Sequence, residues 1–146
     1  MEDIADRMMQ LSTDGYCCAQ IMLSLALETQ HRTNPDLIRA AGGLCFGIGS
    51  GEACGALAGG MCILSLYAGK GESGDEMDER CPLMIHDLAE WFREMSGKSY
   101  GGVRCNEILA NYPDKSVCPR IVMATYGKTM EILKSFGFDL RNRRND

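Results

Sequence analysis

Gly42-Gly43-Leu44-Cys45-Phe46-Gly47-Ile48-Gly49-Ser50-Gly51, followed by Glu52-Ala53-Cys54-Gly55-Ala56-Leu57-Ala58-Gly59-Gly60-Met61-Cys62-Ile63-Leu64-Ser65-Leu66-Tyr67, decides how this chain folds. The first ten residues hold too much glycine for a helix interior and read as a loop that lets backbone approach something closely. The remainder reads as a helix from about Glu52 to Tyr67. Its Gly55, Ala56, Ala58, Gly59 and Gly60 leave a nearly smooth face on which a second helix can lie close. Such a helix belongs at the centre of a fold. The nearly uncharged run from Ala53 to Gly69 is slightly short for a bilayer and full of glycine, and the mean hydropathy of the chain is −0.15. A buried core helix is therefore expected, with no membrane partner.

Outward from this element the chain divides into further helices. Ile4, Met8 and Leu11 recur at helical spacing over Glu2 to Leu11 before Thr13-Asp14-Gly15 breaks the pattern. A second helix, capped by Asp14, is expected from Tyr16 to about Thr29, apolar on most sides. Asn34-Pro35-Asp36 opens a third that runs to about Ala41, with a capping side chain and a proline where no amide donor is needed. The acidic connection Gly69 to Glu79 lacks the ligand spacing of a calcium loop and reads as solvated. A fifth helix begins near Pro82, carries Ile85, Leu88, Phe92 and Met95 on its core stripe, and is expected to stop at Gly97. Lys98 to Arg104 is a loop, Cys105 to Asn111 a short helix, and Tyr112 to Val117 a turn. The last helix is expected from Pro119 to about Phe136, ended by Gly137. No repeat or alternating strand pattern is present. The expected architecture is all-α, one domain over residues 1–146: an orthogonal or up-down bundle of about five to seven helices around the glycine-rich one.

The 146 residues carry a formal charge of −5, and the basic residues are scattered apart from Arg141, Arg143 and Arg144, which suit a helix end. No nucleic-acid partner is expected. The opening Met1-Glu2-Asp3-Ile4-Ala5-Asp6-Arg7 lacks the basic start and apolar run of a secretory signal, which points to a cytoplasmic protein. Gly47-x-Gly49-x-Gly51 follows no strand and precedes no Lys-Ser or Lys-Thr, so no nucleotide site is expected. His31 and His86, the two histidines, sit in no catalytic motif and read as helix-side residues.

Cysteine is left to carry chemistry. The eight are Cys17, Cys18, Cys45, Cys54, Cys62, Cys81, Cys105 and Cys118. So many in an intracellular chain call for a metal, cluster or redox explanation. No CxxC knuckle, ferredoxin run or haem-attachment CxxCH occurs, so any shared site is assembled by folding and no haem is expected. Cys18, Cys54, Cys105 and Cys118 each fall within the first turn or two of an expected helix, where unpaired amides and the macrodipole favour thiolate. Cys54 is the attacking residue this reading selects. Cys81 lies among Glu76, Asp78 and Glu79, which oppose thiolate formation. Cys62 reads as a core residue. Cys17 points about 100° away from Cys18 on a helix, so at most one of that pair need face a site. Cys45 reaches a site only if the glycine loop folds over it.

The runs Gly15-Tyr16-Cys17-Cys18-Ala19-Gln20, Cys54-Gly55-Ala56-Leu57-Ala58-Gly59, Cys105-Asn106-Glu107-Ile108-Leu109 and Cys118-Pro119-Arg120-Ile121-Val122 resemble the redox-active family named for its cysteine, CGAxxG, cysteine, cysteine pattern (C_GCAxxG_C_C). The resemblance spans nearly the whole chain. It implies that Cys18, Cys54, Cys105 and Cys118 are the defining set. That family in turn resembles part of the split-Soret cytochromes, which implies an all-α fold and a homodimer. The chain departs from the pattern in Cys17, where a polar residue is expected, and in Cys45, Cys62 and Cys81.

Three functions are therefore weighed. The first is a redox protein, an oxidoreductase or electron-transfer protein, holding an iron–sulfur cluster on the four thiolates or cycling disulfides; its partner is an electron-transfer or thiol-redox protein. The second is a structural, metal-binding protein whose four thiolates hold zinc without catalysis. The third is a helical interaction module whose thiols only fill the core.

Overall fold

The order of the helices follows from their caps. The computed structural model describes residues 3–142 and 144, and places α1 at Ile4–Thr13, α2 at Cys18–Thr29, α3 at Pro35–Ala41, α4 at Gly55–Ala68, α5 at Cys81–Tyr100, α6 at Cys105–Asn111 and α7 at Cys118–Ser135. Glu2, in the expected first helix, and Arg143 lie outside the described residues. At α3 the Asn34 side chain accepts the Leu37 N–H at 3.1 Å and Pro35 occupies the first turn, as the sequence indicated. At α2 the capping position belongs to Cys17 instead of Asp14. Gln20 Oε1 accepts the Cys17 N–H at 3.1 Å, while its Nε2 donates to the Ile38 carbonyl at 3.1 Å and ties α2 to α3.

The glycine-rich α4 is central and packs on α2, α5 and α7. Its small residues are required there. A Cβ at Gly59 would come within 2.7 Å of Met22 Cβ and 3.2 Å of Ala19 Cα, and one at Gly60 within 2.8 Å of Leu88 Cδ2. Met22, Ile63, Leu64, Met84, Leu88, Phe92, Ile121 and Leu133 are fully buried around this helix, in a core to which all seven helices contribute. Burying each such side chain is worth about 1.5–3 kcal/mol before the entropy of ordering is counted.

Two boundaries differ from the sequence reading by three residues or more. α5 continues through Gly97 and ends only at Gly101, whose φ of +77° is the left-handed terminator. Gly97 faces open space and weakens the helix by about 1 kcal/mol relative to alanine, too little to stop it against the packing of Phe92 and Ser96. α4 starts at Gly55 because Ala53 pairs with Arg104 in an isolated antiparallel bridge and Cys54 is extended. After α7, Gly137 takes φ +90°, the expected stop.

Residues 42–51 form a short 3-10 turn at Gly42–Leu44 followed by a left-handed turn. Phe46, Gly47, Ile48 and Gly49 have φ of 57°, 64°, 60° and 68°, and the Glu52 N–H closes the turn onto the Gly47 carbonyl at 3.0 Å. Phe46 and Ile48 carry a Cβ in this region, a strain of about 1–2 kcal/mol each. At the far end of the molecule Arg144 donates to the Ala68 carbonyl at the C-terminus of α4 and to the Glu76 carbonyl. The cation thus complements a helix end, though not that of its own helix. None of the described helices is long and apolar enough to cross a membrane.

Candidate functional site

Cys18 is the first residue of α2, Cys54 the residue before α4, Cys105 the first of α6 and Cys118 the first of α7. All four line a single cavity of about 400 Å³, floored by Gly55 and Ala56 and walled by α1, α6, α7 and Phe46. All four are free thiols. They lie near enough that a negative charge on Cys105 would oppose ionisation of Cys18, Cys54 and Cys118.

Backbone packing makes this approach possible at two glycines. A Cβ on Gly55 would fall on Cys18 Sγ, so this glycine is what lets α2 set its thiol against the start of α4. At Gly47, with φ +64°, a Cβ would strike the Glu52 backbone and come within 2.9 Å of Cys105 Cβ. The Cys105 N–H then donates to the Glu52 carbonyl at 2.7 Å, locking α6 to the strand-like segment that leads into α4. Glu107 Oε1 closes the start of α6 by accepting the Arg104 N–H at 2.9 Å and the Val103 N–H at 3.1 Å.

The electrostatics of the thiols run opposite to the sequence expectation. Burial pushes all four up from the ordinary thiol value, Cys54 furthest, to about 12. Backbone amides do point at two sulfurs: those of Ala19 and Phe46 at Cys18, and those of Ala56 and Leu57 at Cys54. They favour thiolate, as helix starts should, but the loss of water outweighs them. Cys105 and Cys118 have another source of help, the Lys115 ammonium, which draws both downward against a weaker burial effect. Lys115 is held over the Phe46 ring at 4.6 Å from its centroid. Neither residue stood out in the sequence, since a lysine in a turn and a phenylalanine in a glycine loop carry no spacing signal.

Cys17 and Cys45 form a disulfide, with Cα atoms 6.0 Å apart. Cys17 lines the cavity beside Cys18. The 100° divergence expected of neighbouring helical residues does not apply, because Cys17 is the extended residue ahead of α2 (φ −88°, ψ 173°) and not part of the helix. Cys45 is buried, 5% exposed, and does not itself line the cavity. Cys81 is 1% exposed in the core, and Cys62 packs against that core from α4; neither reaches the cavity. His31 and His86 are exposed. Among the described residues no group of three or more His, Cys, Asp or Glu side chains is arranged to hold a metal ion.

The rim of the cavity is apolar and open to solvent at Met9, 62% exposed, Phe46, 57%, and Tyr16, 40%. Four thiols with graded burial, an adjacent disulfide and one cation form a set that can store and pass electron pairs. No curated protein and no solved structure matches the chain. Residues 16–132, which include all four cavity thiols, match the sequence model of the family described as putative redox-active protein (C_GCAxxG_C_C), and the chain belongs to that family.

Proposed function

We propose that the cavity is a thiol redox centre in which Cys18, Cys54, Cys105 and Cys118 exchange electron pairs with a protein partner by making and breaking disulfides. The observation that carries this reading is the convergence of four free thiols on one cavity that a disulfide also borders. Cys105 is the better entry point than Cys54, because it is less desolvated and lies within the influence of Lys115. Its thiolate attacks one sulfur of the partner's disulfide, forming a mixed disulfide and releasing the partner's other sulfur, which takes up a proton. A second cavity thiol, Cys118, then attacks Cys105 Sγ. The partner leaves fully reduced and a Cys105–Cys118 disulfide remains, two electrons and two protons having passed outward. An electron-transfer or thiol-redox protein restores the dithiol. The apolar rim at Met9, Tyr16 and Phe46 is the surface offered to such partners, or to a second copy of the chain. A cytoplasmic location goes with this reading, since thiols are kept reduced there.

One feature supports a cluster as the second reading. Four soft sulfur donors with amides aimed at two of them are the ligand chemistry of an iron–sulfur centre. Cys18, Cys54, Cys105 and Cys118 would hold it, and it would supply one-electron transfer in place of disulfide exchange. Their present arrangement suits no single ion, which weighs against a closed zinc site.

An ultraviolet–visible spectrum with iron, zinc and sulfide analysis on anaerobically purified protein separates these. A colourless protein with four titratable cavity thiols that reduce hydroxyethyl disulfide supports the thiol centre. Broad visible absorption with iron and sulfide moves the assignment to the cluster, and stoichiometric zinc moves it to a structural site.

A further inference from the structure

We infer that Cys17 and Cys45, which stand outside the four-cysteine pattern of the family, are working members of the site, and that their disulfide exchanges with Cys18 to pass oxidising equivalents into the cavity. The inference rests on the thiol redox reading above and extends its set of reacting sulfurs from four to six.

Three observations bring the disulfide to the thiols. Cys17 and Cys18 both line the cavity. The Phe46 amide, one residue beyond Cys45, is near enough to Cys18 to favour its thiolate, and Phe46 and Cys18 both line the cavity. Gly55 holds Cys18 Sγ against the start of α4, next to Cys54. Cys18 therefore follows one half of the existing disulfide directly in the chain and packs at the start of α4, where the free thiol of Cys54 lies.

The exchange balances without an external oxidant. The Cys18 thiolate attacks Cys45 Sγ; a Cys18–Cys45 bond forms, the Cys17–Cys45 bond breaks, and Cys17 departs as a thiolate that takes up the proton Cys18 released. Attack on Cys17 Sγ is disfavoured because it would close a small ring across one peptide bond. Cys54 next attacks Cys18 Sγ, giving a Cys18–Cys54 disulfide and freeing Cys45 as a thiol. Two electrons have then moved from Cys18 and Cys54 to Cys17 and Cys45, and every sulfur is accounted for.

The loop between these sulfurs suits such a step. Phe46, Gly47, Ile48 and Gly49 are held left-handed between the Cys17–Cys45 bond at one end and the Glu52–Cys105 backbone hydrogen bond at the other. Residues with a Cβ relax from that conformation once a tether is released. Movement of Phe46 would also carry its contact with Lys115. The disulfide thereby links the oxidation state of Cys45 to the cation beside Cys105 and Cys118.

The test uses the full chain with Cys17→Ser and Cys54→Ser together, which removes the thiol that would resolve a Cys18–Cys45 bond. The reduced variant is oxidised anaerobically with one equivalent of diamide, blocked with N-ethylmaleimide and digested with trypsin and a glutamate-specific protease, which cuts at Glu52 and separates Cys45 from Cys54. The expected result is joint loss of alkylation at Cys18 and Cys45, with a peptide linking them. A folded double variant in which Cys45 stays alkylated and Cys18 does not pair with it overturns the inference. Should that variant fail to fold, the wild-type chain decides. The peptides must then show Cys45 shared between Cys17 and Cys18 or a Cys18–Cys54 link, and Cys45 linked to Cys17 alone with no Cys18–Cys54 link overturns the inference. Reduction of hydroxyethyl disulfide by Cys45→Ser protein reports on the four-thiol reading separately. Activity there without a Cys18–Cys45 link in the other variant removes this inference and leaves the redox centre standing, while the link without activity does the reverse.

Discussion

The two halves of the cavity hold the same kind of side chain by opposite physical means. On the α2–α4 side, Cys18 and Cys54 are set by glycine-mediated backbone contact, lined by amides and deeply desolvated. On the α6–α7 side, Cys105 and Cys118 are less buried and answer to a cation carried on an exposed turn. The first half is held by the packed centre of the fold and keeps its protons. The second is less buried and is the half whose thiols a surface charge can tune. Thiols at helix starts are thus not equivalent: at all four the loss of water wins, and the depth at which the helix starts sets by how much.

The comparison is broken most severely through the entry thiol. Cys105→Ser is expected to slow reduction of hydroxyethyl disulfide about a thousandfold or more, a loss of about 4 kcal/mol, with an unchanged circular dichroism spectrum. If Cys54→Ser were the more damaging of the two, the assignment of open and closed halves would be reversed. Next in size is Gly55→Ala, whose new methyl falls on Cys18 Sγ. It is expected to destabilise by about 1–3 kcal/mol in urea unfolding and to displace Cys18, whereas Gly127→Ala, with open space around it, should not destabilise at all.

A third way to sharpen the contrast is pH. Cys54 is held protonated by burial, with its value raised from 9.0 to about 12, so the native state binds this proton more tightly than the unfolded chain does. Its contribution to stability is complete below about pH 9 and is lost as pH rises toward 12. Unfolding followed from pH 8 to pH 11 should show stability falling, and Cys54→Ala should flatten the fall. Alkylation by iodoacetamide should reach its plateau at a lower pH for Cys105 than for Cys54. The smallest effect is expected from Lys115→Gln. Removing this exposed cation should slow alkylation of Cys105 and Cys118 by a factor of about two to five and leave Cys54 unchanged.

Much of the fold was legible because its signals are local. Asn34-Pro35 marks α3 by a cap and a ring that any helix start can use, and the Gly55 to Gly60 face announced the central helix through side-chain size alone. Gly97 misled because a glycine's intrinsic preference, about 1 kcal/mol, is smaller than the packing that carries α5 past it. At the site, Cys18, Cys54, Cys105 and Cys118 do lie at helix starts as the sequence indicates, but their ionisation runs the other way. An N-terminal position is written in the sequence; the surrounding burial is not.

The sequence by itself determined an all-helical chain, a central glycine-rich helix and the family to which the four motif cysteines belong, because period, caps and short motifs are properties of neighbours along the chain. Only the tertiary structure decided that the four thiols share one cavity, that Cys17 pairs with Cys45, and that Lys115 serves the open half of the site. Those facts join residues far apart in sequence, and desolvation and charge depend on everything that packs around a sulfur once the chain has closed on itself.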